Sequence, residues 1–374
     1  MSNLLRPTYD LTRDSQVSRA AQELVRMIHV RDLKPEDRLP PQSEILNELA
    51  FSNDTVNLAM RSLVSGGIVR RKPRVGTVVV DPNRPLKGLW SVGIATFPSA
   101  TTESYYMQLL YRIQFHLDVE GCGSSLHILR ESTGEGIPAL KDFGNLEQEI
   151  AERRINAVVT LGFFDTSDCE QAKAMKVPII HVGAWENAPA GVVIDQGPMV
   201  KGAVELLIHR GCQRIADVSP APAAGFCRGW KAYQRAIART GPGKQNTRHI
   251  VAGSGSRGGW QAAETLLAMP ESERPDGLVV HNDWVGMGLT ARLAKAGDYR
   301  PAITVQTNRQ APLAFALPVI HFELDVEEIA RRGAAMLIQR MRDPRVEDTV
   351  EWVRPRLAIA DPSHLMEAPQ LSVA

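Results

Sequence analysis

The chain has 374 residues, of which 44% are hydrophobic and 23% are charged, and its formal net charge is +1. This length exceeds one ordinary hydrophobic core, so two or three domains are expected, and the near-neutral charge excludes a uniformly basic or acidic chain. The cysteines lie too far apart for a zinc site, the first residues lack the apolar core of a signal peptide, and no apolar run approaches the ~20 residues that span a bilayer. We therefore expect a cytoplasmic protein with no membrane partner.

The basic charge is concentrated in the first part of the chain. Residues 1–85 contain 13 basic and 10 acidic side chains, whereas the remainder contains 30 basic and 32 acidic side chains. An anion-binding surface is therefore expected near the N-terminus, mostly after residue 60.

The N-terminal residues predict a flexible arm over 1–15 and a compact helical domain over 16–80. Apolar residues at helical spacing predict a helix from Gln16 that ends near Asp32, and a second short helix covers 42–49. A third helix begins near Asn53 after a tight turn, with Ser52 as its N-cap. Helices joined this closely form a helix-turn-helix, in which the later helix can enter a groove of DNA.

The third helix has two different faces. Asn53, Asn57 and Arg61 lie four residues apart on one side. The apolar face comprises Val56, Ala59, Met60, Leu63 and Val64. Two β-like runs, 68–71 and 77–80, then flank a basic tip over 72–76, which predicts a hairpin, or wing.

These residues resemble the winged helix-turn-helix of the GntR family of bacterial transcription regulators. The resemblance is carried by Asp37-Arg38-Leu39-Pro40, Glu44-Ile45, Ser52, Thr55-Val56, Ala59, Leu63, Gly67-Ile68-Val69, Arg71 and Gly76-Thr77. It implies that the third helix enters the major groove and that the wing tip follows the minor groove. The DNA-binding residues expected on this basis are Arg38, Gln42, Ser43, Ser52, Asn53, Thr55, Asn57, Arg61, Arg71, Lys72, Arg74, Gly76 and Thr77.

Departures from the family pattern concern the residues that would read bases. The family commonly has Arg where this chain has Ser43, Asn53 and Asn57, and Gly where it has Arg74. Because Arg pairs with guanine and Asn with adenine, the operator is expected to depend less on guanine. The alternatives are that Asn53 caps the helix, that Asn57 is a solvated surface residue, and that the basic residues form a solvated face.

Residues 81–88, with two prolines and a glycine, predict a linker to a second domain over 89–361, followed by a tail over 362–374. Strand-like runs occur at 90–97, 125–129, 157–161, 178–182, 192–195, 214–218, 249–252, 278–281, 303–306 and 319–324. Helical patterns lie between most of them, so parallel sheets covered on both faces are expected, with ligands at the carboxyl ends of the strands. The length favours two lobes.

This second part resembles the effector domain of the LacI family, which is similar to periplasmic sugar-binding proteins. The matching residues are Val193-Ile194-Asp195, Ala203, Leu207, Gly211, Ile215, Gly229-Trp230, Asn282-Asp283, Gly288 and Pro355-Arg356-Leu357. The overall expectation is a small α+β winged helix-turn-helix domain followed by an α/β two-lobed domain of the type I periplasmic-binding-protein kind.

Effector-binding residues are expected at strand ends and at matched positions. They are Tyr105, Asp165, Trp185, Arg228, Trp230, Asp283, Trp284 and Asn308. The family's sugar-contacting Arg corresponds to Phe226, with Arg228 the nearest guanidinium, and Asn308 stands where Asp is common. For Asp283 the alternative is capping of the helix that starts near Trp284, and for the tryptophans it is core packing.

Residues 253–258, GSGSRG, match a dinucleotide-binding G-x-G-x-x-G, but no acidic residue follows at the required distance. No catalytic residue, cofactor or metal site is predicted. The sequence favours a DNA-binding transcriptional regulator, a repressor by default, that acts as a homodimer and responds to a sugar or related metabolite between the lobes. The alternatives are a solute-binding sensor with no DNA role and a nucleotide-binding enzyme.

Overall fold

The computed structural model describes residues 15–97, 104–129, 138–162, 165–184, 186–220, 227–240 and 248–358. The described residues form two compact units, one from those within 1–193 and 327–351 and one from those within 194–326 and 352–358.

Helices and strands alternate along most of the chain. The helices are α1 (Ser15–Val30), α2 (Gln42–Glu48), α3 (Asn53–Ser65), α4 (Ser104–Val119), α5 (Leu146–Ala151), α6 (Thr166–Ala174), α7 (Gln196–His209), α8 (Cys227–Thr240), α9 (Gly255–Leu267), α10 (Asp283–Lys295) and α11 (Val326–Arg342). The strands are β1 (Val69–Lys72), β2 (Gly76–Val79), β3 (Ser91–Thr96), β4 (Gly123–Ile128), β5 (Ala157–Thr160), β6 (Ile179–Gly183), β7 (Gly191–Ile194), β8 (Ile215–Ser219), β9 (Arg248–Val251), β10 (Gly277–Val280), β11 (Ala302–Asn308), β12 (Ile320–Leu324), β13 (Val350–Val353) and β14 (Arg356–Leu357).

The N-terminal part of the first unit is a winged helix. Helix α1 packs against α3, and both helices bury an apolar stripe, with Leu24 and Leu63 fully inaccessible to solvent. Strands β1 and β2 pair antiparallel from Val69 opposite Val79 to Lys72 opposite Gly76. The predicted helices and hairpin are therefore present, with bounds that differ by one or two residues.

The rest of the first unit is an α/β lobe, here called the N-terminal lobe. Its six-stranded sheet has the order β13-β7-β6-β5-β3-β4, and strands β3 to β7 pair in parallel. Strands β5, β6 and β7 are buried along their whole length, because helices cover both faces of a parallel sheet.

The second unit is an α/β lobe of the same design, here called the C-terminal lobe. Its sheet has the order β14-β12-β11-β10-β8-β9, in which only β14 pairs antiparallel. Helix α7 packs on α8, and α9 packs on α10. The reversal of strand order at β8 and β10 creates a crevice at their carboxyl ends, where ligands of open α/β sheets bind.

The predicted fold class is confirmed, and each predicted strand is present. Sequence reasoning missed β13 and β14, which complete the edges of the two sheets after the chain has passed through α11. Their pattern was too short to predict, since β14 has only two residues.

The winged helix is fastened to the N-terminal lobe by polar side chains of α1. Gln22 Nε2 donates to the Leu89 carbonyl at 2.6 Å and to Asn156 Oδ1 at 3.1 Å. Arg26 Nε donates to the Met341 carbonyl at 3.0 Å, and its guanidinium lies 5.3 Å from the Trp90 ring centroid. Gln22 and Arg26 are buried, so these bonds satisfy groups that would otherwise be stranded away from water.

Candidate DNA-binding surface and effector site

Helix α3 begins with a side-chain cap. Ser52 Oγ accepts a hydrogen bond from the Thr55 amide at 3.1 Å and lies 2.8 Å from the Thr55 hydroxyl. The cap is therefore Ser52, as predicted, and the alternative that Asn53 caps the helix is wrong. The inclusion of Val64 in the buried face is also wrong, because Val64 is 36% exposed. Its position at the edge of the stripe places it beyond the contact with α1.

The exposed face of α3 presents a row of carboxamides joined to α2. Gln42 Nε2 donates to Asn53 Oδ1 at 2.6 Å and to Asn57 Oδ1 at 3.1 Å, and Asn57 Nδ2 donates to Asn53 Oδ1 at 3.3 Å. These three side chains hold one another in a fixed arrangement on the protein surface. Arg61 continues the row and is exposed.

The wing separates its basic side chains into two groups. Arg70 pairs with Glu36 at 2.9 Å, and Lys72 donates to the other oxygen of the same carboxylate. The hydrogen bond from Lys72 lowers the pKa of Glu36 below its usual range. Arg71 and Arg74 are exposed, and no carboxylate among the described residues pairs with either of them. Arg71 and Arg74 are therefore the wing cations that are available to an anion.

A groove of about 490 Å³ joins the wing to α3 and α2. Its lining includes Gln42, Asn57, Arg71, Gly76 and Thr77. Arg38 lies beside the wing, since its backbone bridges to Val78 and its guanidinium lies next to Gly76. Ser43, at the start of α2, is exposed. Of the predicted DNA-binding residues, those that line this groove are Gln42, Asn57, Arg71, Lys72, Gly76 and Thr77.

At the carboxyl edge of the C-terminal lobe, two predicted effector-binding residues are in contact. Asn308 Nδ2 donates to Asp283 Oδ2 at 2.6 Å, and Asp283 Oδ1 accepts from the Trp284 amide at 2.9 Å. Asn282, and not Asp283, caps α10, because its Oδ1 accepts from the Val285 amide at 3.0 Å. The buried hydroxyl of Thr307 has no hydrogen-bond partner among the described residues.

Arg228 belongs to a different cluster. Its Nε donates to Asp195 Oδ1 at 3.3 Å, and its guanidinium lies 4.1 Å from the Trp352 ring centroid. Arg354 reaches the other oxygen of Asp195 at 3.5 Å. The sequence did not single out Asp195 as a functional residue, although it is buried and draws two guanidiniums to the end of β7.

Trp230 takes part in packing. It stacks on Tyr233 with ring centroids 5.2 Å apart and meets His249 edge-on at 4.9 Å, within the core of the C-terminal lobe. These contacts match the core-packing alternative for Trp230. Trp284 is half-buried at the start of α10, and Trp185 lies outside the described residues.

The N-terminal lobe carries an aromatic cluster at its carboxyl edge. Phe97 follows β3, and its ring centroid lies 4.9 Å from that of Tyr106, which in turn meets Tyr105 at 4.8 Å. Burial raises the pKa of Tyr105, whose hydroxyl has no partner among the described residues. Asp165 instead caps α6, because its Oδ1 accepts from the Ser167 amide at 2.9 Å.

Sequence reasoning missed a buried polar network in the C-terminal lobe. Asp217 Oδ1 lies 2.5 Å from His281 Nε2, and Asp217 Oδ2 lies 2.8 Å from His249 Nδ1. His281 Nδ1 lies 3.1 Å from Gln196 Oε1, which continues the network to α7. Burial raises the pKa of Asp217, but the two imidazoles outweigh burial and hold it below its usual range. The sequence signal that could have indicated this network is the presence of the polar residues Asp217, His249 and His281 within or directly after apolar strands.

The glycine-rich segment 253–258 leads into a close contact between α9 and α10. A side chain at Gly259 would lie 1.9 Å from the Val285 carbonyl, and one at Gly288 would lie 1.8 Å from the Ser256 carbonyl. Helices α9 and α10 therefore approach so closely that only glycine fits. This contact accounts for Gly259 and Gly288, whereas Gly253 and Gly255 adopt positive φ angles of 75° and 67°.

Among the described residues, no group of three or more His, Cys, Asp or Glu side chains is arranged to hold a metal ion. The described helices also include none with the length and apolar character needed to cross a membrane.

Comparison with known families matches the two parts of the chain separately. Residues 16–79 match the bacterial regulatory proteins of the gntR family, and residues 204–360 match the periplasmic binding protein-like domain. The histidine utilization repressor of Pseudomonas putida is 38% identical over 65 residues, which is 17% of this chain and 26% of that protein. The chain thus spans about a quarter of the length of that relative.

Solved structures resemble the larger part of the chain. A LacI transcriptional regulator from a Rhodococcus species aligns with a TM-score of 0.59 and 21% identity, over 72% of this chain and 96% of the other. A LacI family regulator from Enterococcus faecium with bound ribose aligns with a TM-score of 0.59 and 17% identity, over 71% and 96%. This likeness identifies the fold of the two α/β lobes.

Proposed function

We propose that this chain, which joins a gntR-family helix-turn-helix domain to a periplasmic-binding-protein-like domain, is a cytoplasmic transcriptional repressor controlled by a small-molecule effector. The same proposal includes a DNA-binding domain over residues 16–80, a linker over residues 81–88 and an effector-binding domain over residues 89–361. The single observation that carries it is the groove in which Asn57 of the carboxamide row of α3 faces Arg71 of the wing, an arginine that pairs with no carboxylate among the described residues. A carboxamide pairs with the edge of adenine, and a guanidinium pairs with phosphate, so this surface fits double-stranded DNA.

The effector site of the proposal is the carboxyl edge of the C-terminal lobe. Asp283 and Asn308 meet there, and together they offer an acceptor and a donor to the hydroxyl groups of a sugar. The similar regulator from Enterococcus faecium was solved with bound ribose, which supports a sugar or a sugar derivative as the effector.

A homodimer completes the proposal, because a palindromic operator needs two recognition helices related by a two-fold axis. Analytical ultracentrifugation of the full chain measures this directly, and a monomer at micromolar concentration would contradict it.

Selection of bound sequences from random duplex DNA tests the DNA-binding role. We expect enrichment of a palindrome with adenine-containing half-sites. If no sequence is enriched, the DNA-binding role is wrong, and the alternative of a solute-binding sensor with no DNA role is favoured. A thermal-shift screen against sugars and sugar acids tests effector binding, since a ligand at 100 times its dissociation constant adds about 2.7 kcal/mol of stability.

A further inference from the structure

The junction between the winged helix and the N-terminal lobe contains a cavity of about 250 Å³, here called the junction cavity. Helix α1 lines it with Arg19 and Gln22, the α2–α3 turn with Phe51, and the lobe with Arg153 and Asn156. The cavity is smaller than typical sites for drug-sized ligands, so it suits a small molecule of a few heavy atoms.

The charges around the junction cavity are unbalanced. Its lining includes the cations Arg19, Arg26, Arg153 and Lys176 and the anions Glu23 and Glu48. Glu23 already pairs with Arg26 at 2.7 Å and with Lys176 at 3.6 Å, and Glu48 pairs with Arg31 at 2.5 Å. No carboxylate among the described residues forms an ion pair with Arg19 or Arg153.

Arg19 of α1 and the exposed Arg153 of the N-terminal lobe both line the junction cavity. Burial and the positive charge of Arg153 lower the pKa of Arg19, while Glu23 offsets this only in part. The Arg19 guanidinium lies 5.6 Å from the Phe51 ring centroid, which holds it against the turn before α3.

The backbone at Arg153 adds a second, independent observation. Arg153 has φ 58°, in the left-handed region, directly after the C-cap of α5. Glycine usually occupies this position, because an L side chain there costs about 1 kcal/mol or more. An arginine that lines the junction cavity is therefore held at a place where its backbone is strained, and strain of this kind commonly marks a functional position.

We propose that the junction cavity binds a small dianion, a phosphate or a short dicarboxylate, between Arg19 of the winged helix and Arg153 of the N-terminal lobe. Guanidinium groups bind both kinds of oxyanion through paired hydrogen bonds. A bound dianion neutralises the repulsion between the two arginines and links the winged helix to the lobe. This site is separate from the carboxyl edge where the effector is proposed to bind, and it goes beyond the proposed function.

Binding is measured on the full chain without DNA, so its outcome is independent of the proposed regulatory role. We expect inorganic phosphate or succinate to raise the melting temperature above that in chloride at equal ionic strength, and titration calorimetry to give a saturable isotherm. A response to phosphate alone identifies a tetrahedral dianion as the ligand, and a response to succinate alone identifies a dicarboxylate. If neither anion exceeds chloride, the proposal is wrong.

Two variants and a matched control locate the site. Arg19→Gln and Arg153→Gly should each weaken anion binding about tenfold or more, the loss expected when a charged hydrogen-bond donor is removed. Arg153→Gly also relieves the left-handed backbone, so its melting temperature in chloride should not fall below that of the wild type. Arg154→Gln is the control, since Arg154 is exposed and pairs with Glu152 at 2.6 Å. Anion responses that are the same in all three variants would overturn the assignment.

Discussion

At the scale of single residues, the wing distinguishes cations that look alike in the sequence. Arg71 and Arg74 have no acidic partner among the described residues, whereas Lys72 is already bound to Glu36. We expect Arg71→Ala with Arg74→Gly to make the slope of log affinity against log salt shallower by about 2, since each phosphate contact contributes about 0.9. Arg74→Gly avoids strain, because Arg74 has φ 61°.

Lys72→Ala is the matched control for this measurement by fluorescence anisotropy. Removal of Lys72 should change the slope of log affinity against log salt less than removal of either arginine. The reason is that Lys72 must leave Glu36 before it can bind phosphate. Equal effects of all three cations would show that the ion pair with Glu36 is without consequence.

Asp283 provides the second prediction at this scale. It is buried, bonded to Asn308, and not needed as a helix cap. Asp283→Asn should weaken effector binding about tenfold or more in calorimetry, because a charged acceptor is lost. Asp165→Asn is the control: Asp165 caps α6, and Asn is an equally good cap, so effector affinity should remain unchanged. The reverse ranking would move the effector site away from the C-terminal lobe.

His181 of β6 predicts a dependence of stability on pH. Burial lowers the pKa of His181 from its ordinary value of 6.5 to about 3. Between these values the unfolded chain binds a proton that the folded chain does not, so stability is full above pH 6.5 and is lost as pH falls toward 3. One such group changes the free energy of unfolding by at most about 1.4 kcal/mol per pH unit.

Urea unfolding at pH 7 and at pH 5 gives the free energy of unfolding at each pH, and the difference between the two measures this dependence on pH. In the variant His181→Asn, the free energy of unfolding should change less with pH than in the wild type, whatever the absolute stability of the variant. Identical slopes would indicate that His181 is protonated in the folded state or that the lobe opens before unfolding.

At the scale of elements, α1 joins the winged helix to the N-terminal lobe. Gln22→Ala removes the hydrogen bonds to the Leu89 carbonyl and to Asn156 and leaves both groups to find new partners, which should cost about 1–3 kcal/mol. Gln234→Ala, on the exposed face of α8, should change stability by less than about 0.5 kcal/mol. If chemical denaturation gave the same loss of stability for Gln22→Ala and Gln234→Ala, the hydrogen bonds of Gln22 would contribute nothing to stability.

Helix α3 carries the prediction about sequence preference. Asn57 is held by Gln42 at 3.1 Å, with its carboxamide on the exposed face. Asn57→Arg should shift the selected operator toward guanine at one position in each half-site. Ser65→Arg adds the same charge at the other end of α3 and should leave the preferred sequence unchanged. The same operator from Asn57→Arg and the wild type would remove Asn57 from base recognition.

The elements also show what the sequence could and could not predict. Periodicity was sufficient for α1, α3 and the parallel strands, because each buries a continuous apolar pattern. It could not assign β13 and β14, which pair with strands far away in the sequence. It could not foresee that Asp217, His249 and His281 meet, or that Arg19 and Arg153 line one cavity, since both arrangements depend on tertiary packing.

At the scale of the whole molecule, the winged helix is fastened to the N-terminal lobe through Gln22, Arg26 and the main chain near Leu89. The central claim is that an effector bound at the carboxyl edge of the C-terminal lobe changes operator affinity. Such coupling requires the effector to bind the DNA-competent and DNA-incompetent states with free energies that differ by about 1–3 kcal/mol.

Operator affinity of the full chain, measured by fluorescence anisotropy with and without a saturating effector found in the thermal-shift screen, tests this claim most directly. We expect the effector to change the operator affinity of the wild type about 5-fold or more. Asp283→Asn should bind the operator normally but respond only at higher effector concentrations. An effector that binds the protein and leaves operator affinity unchanged would contradict the account.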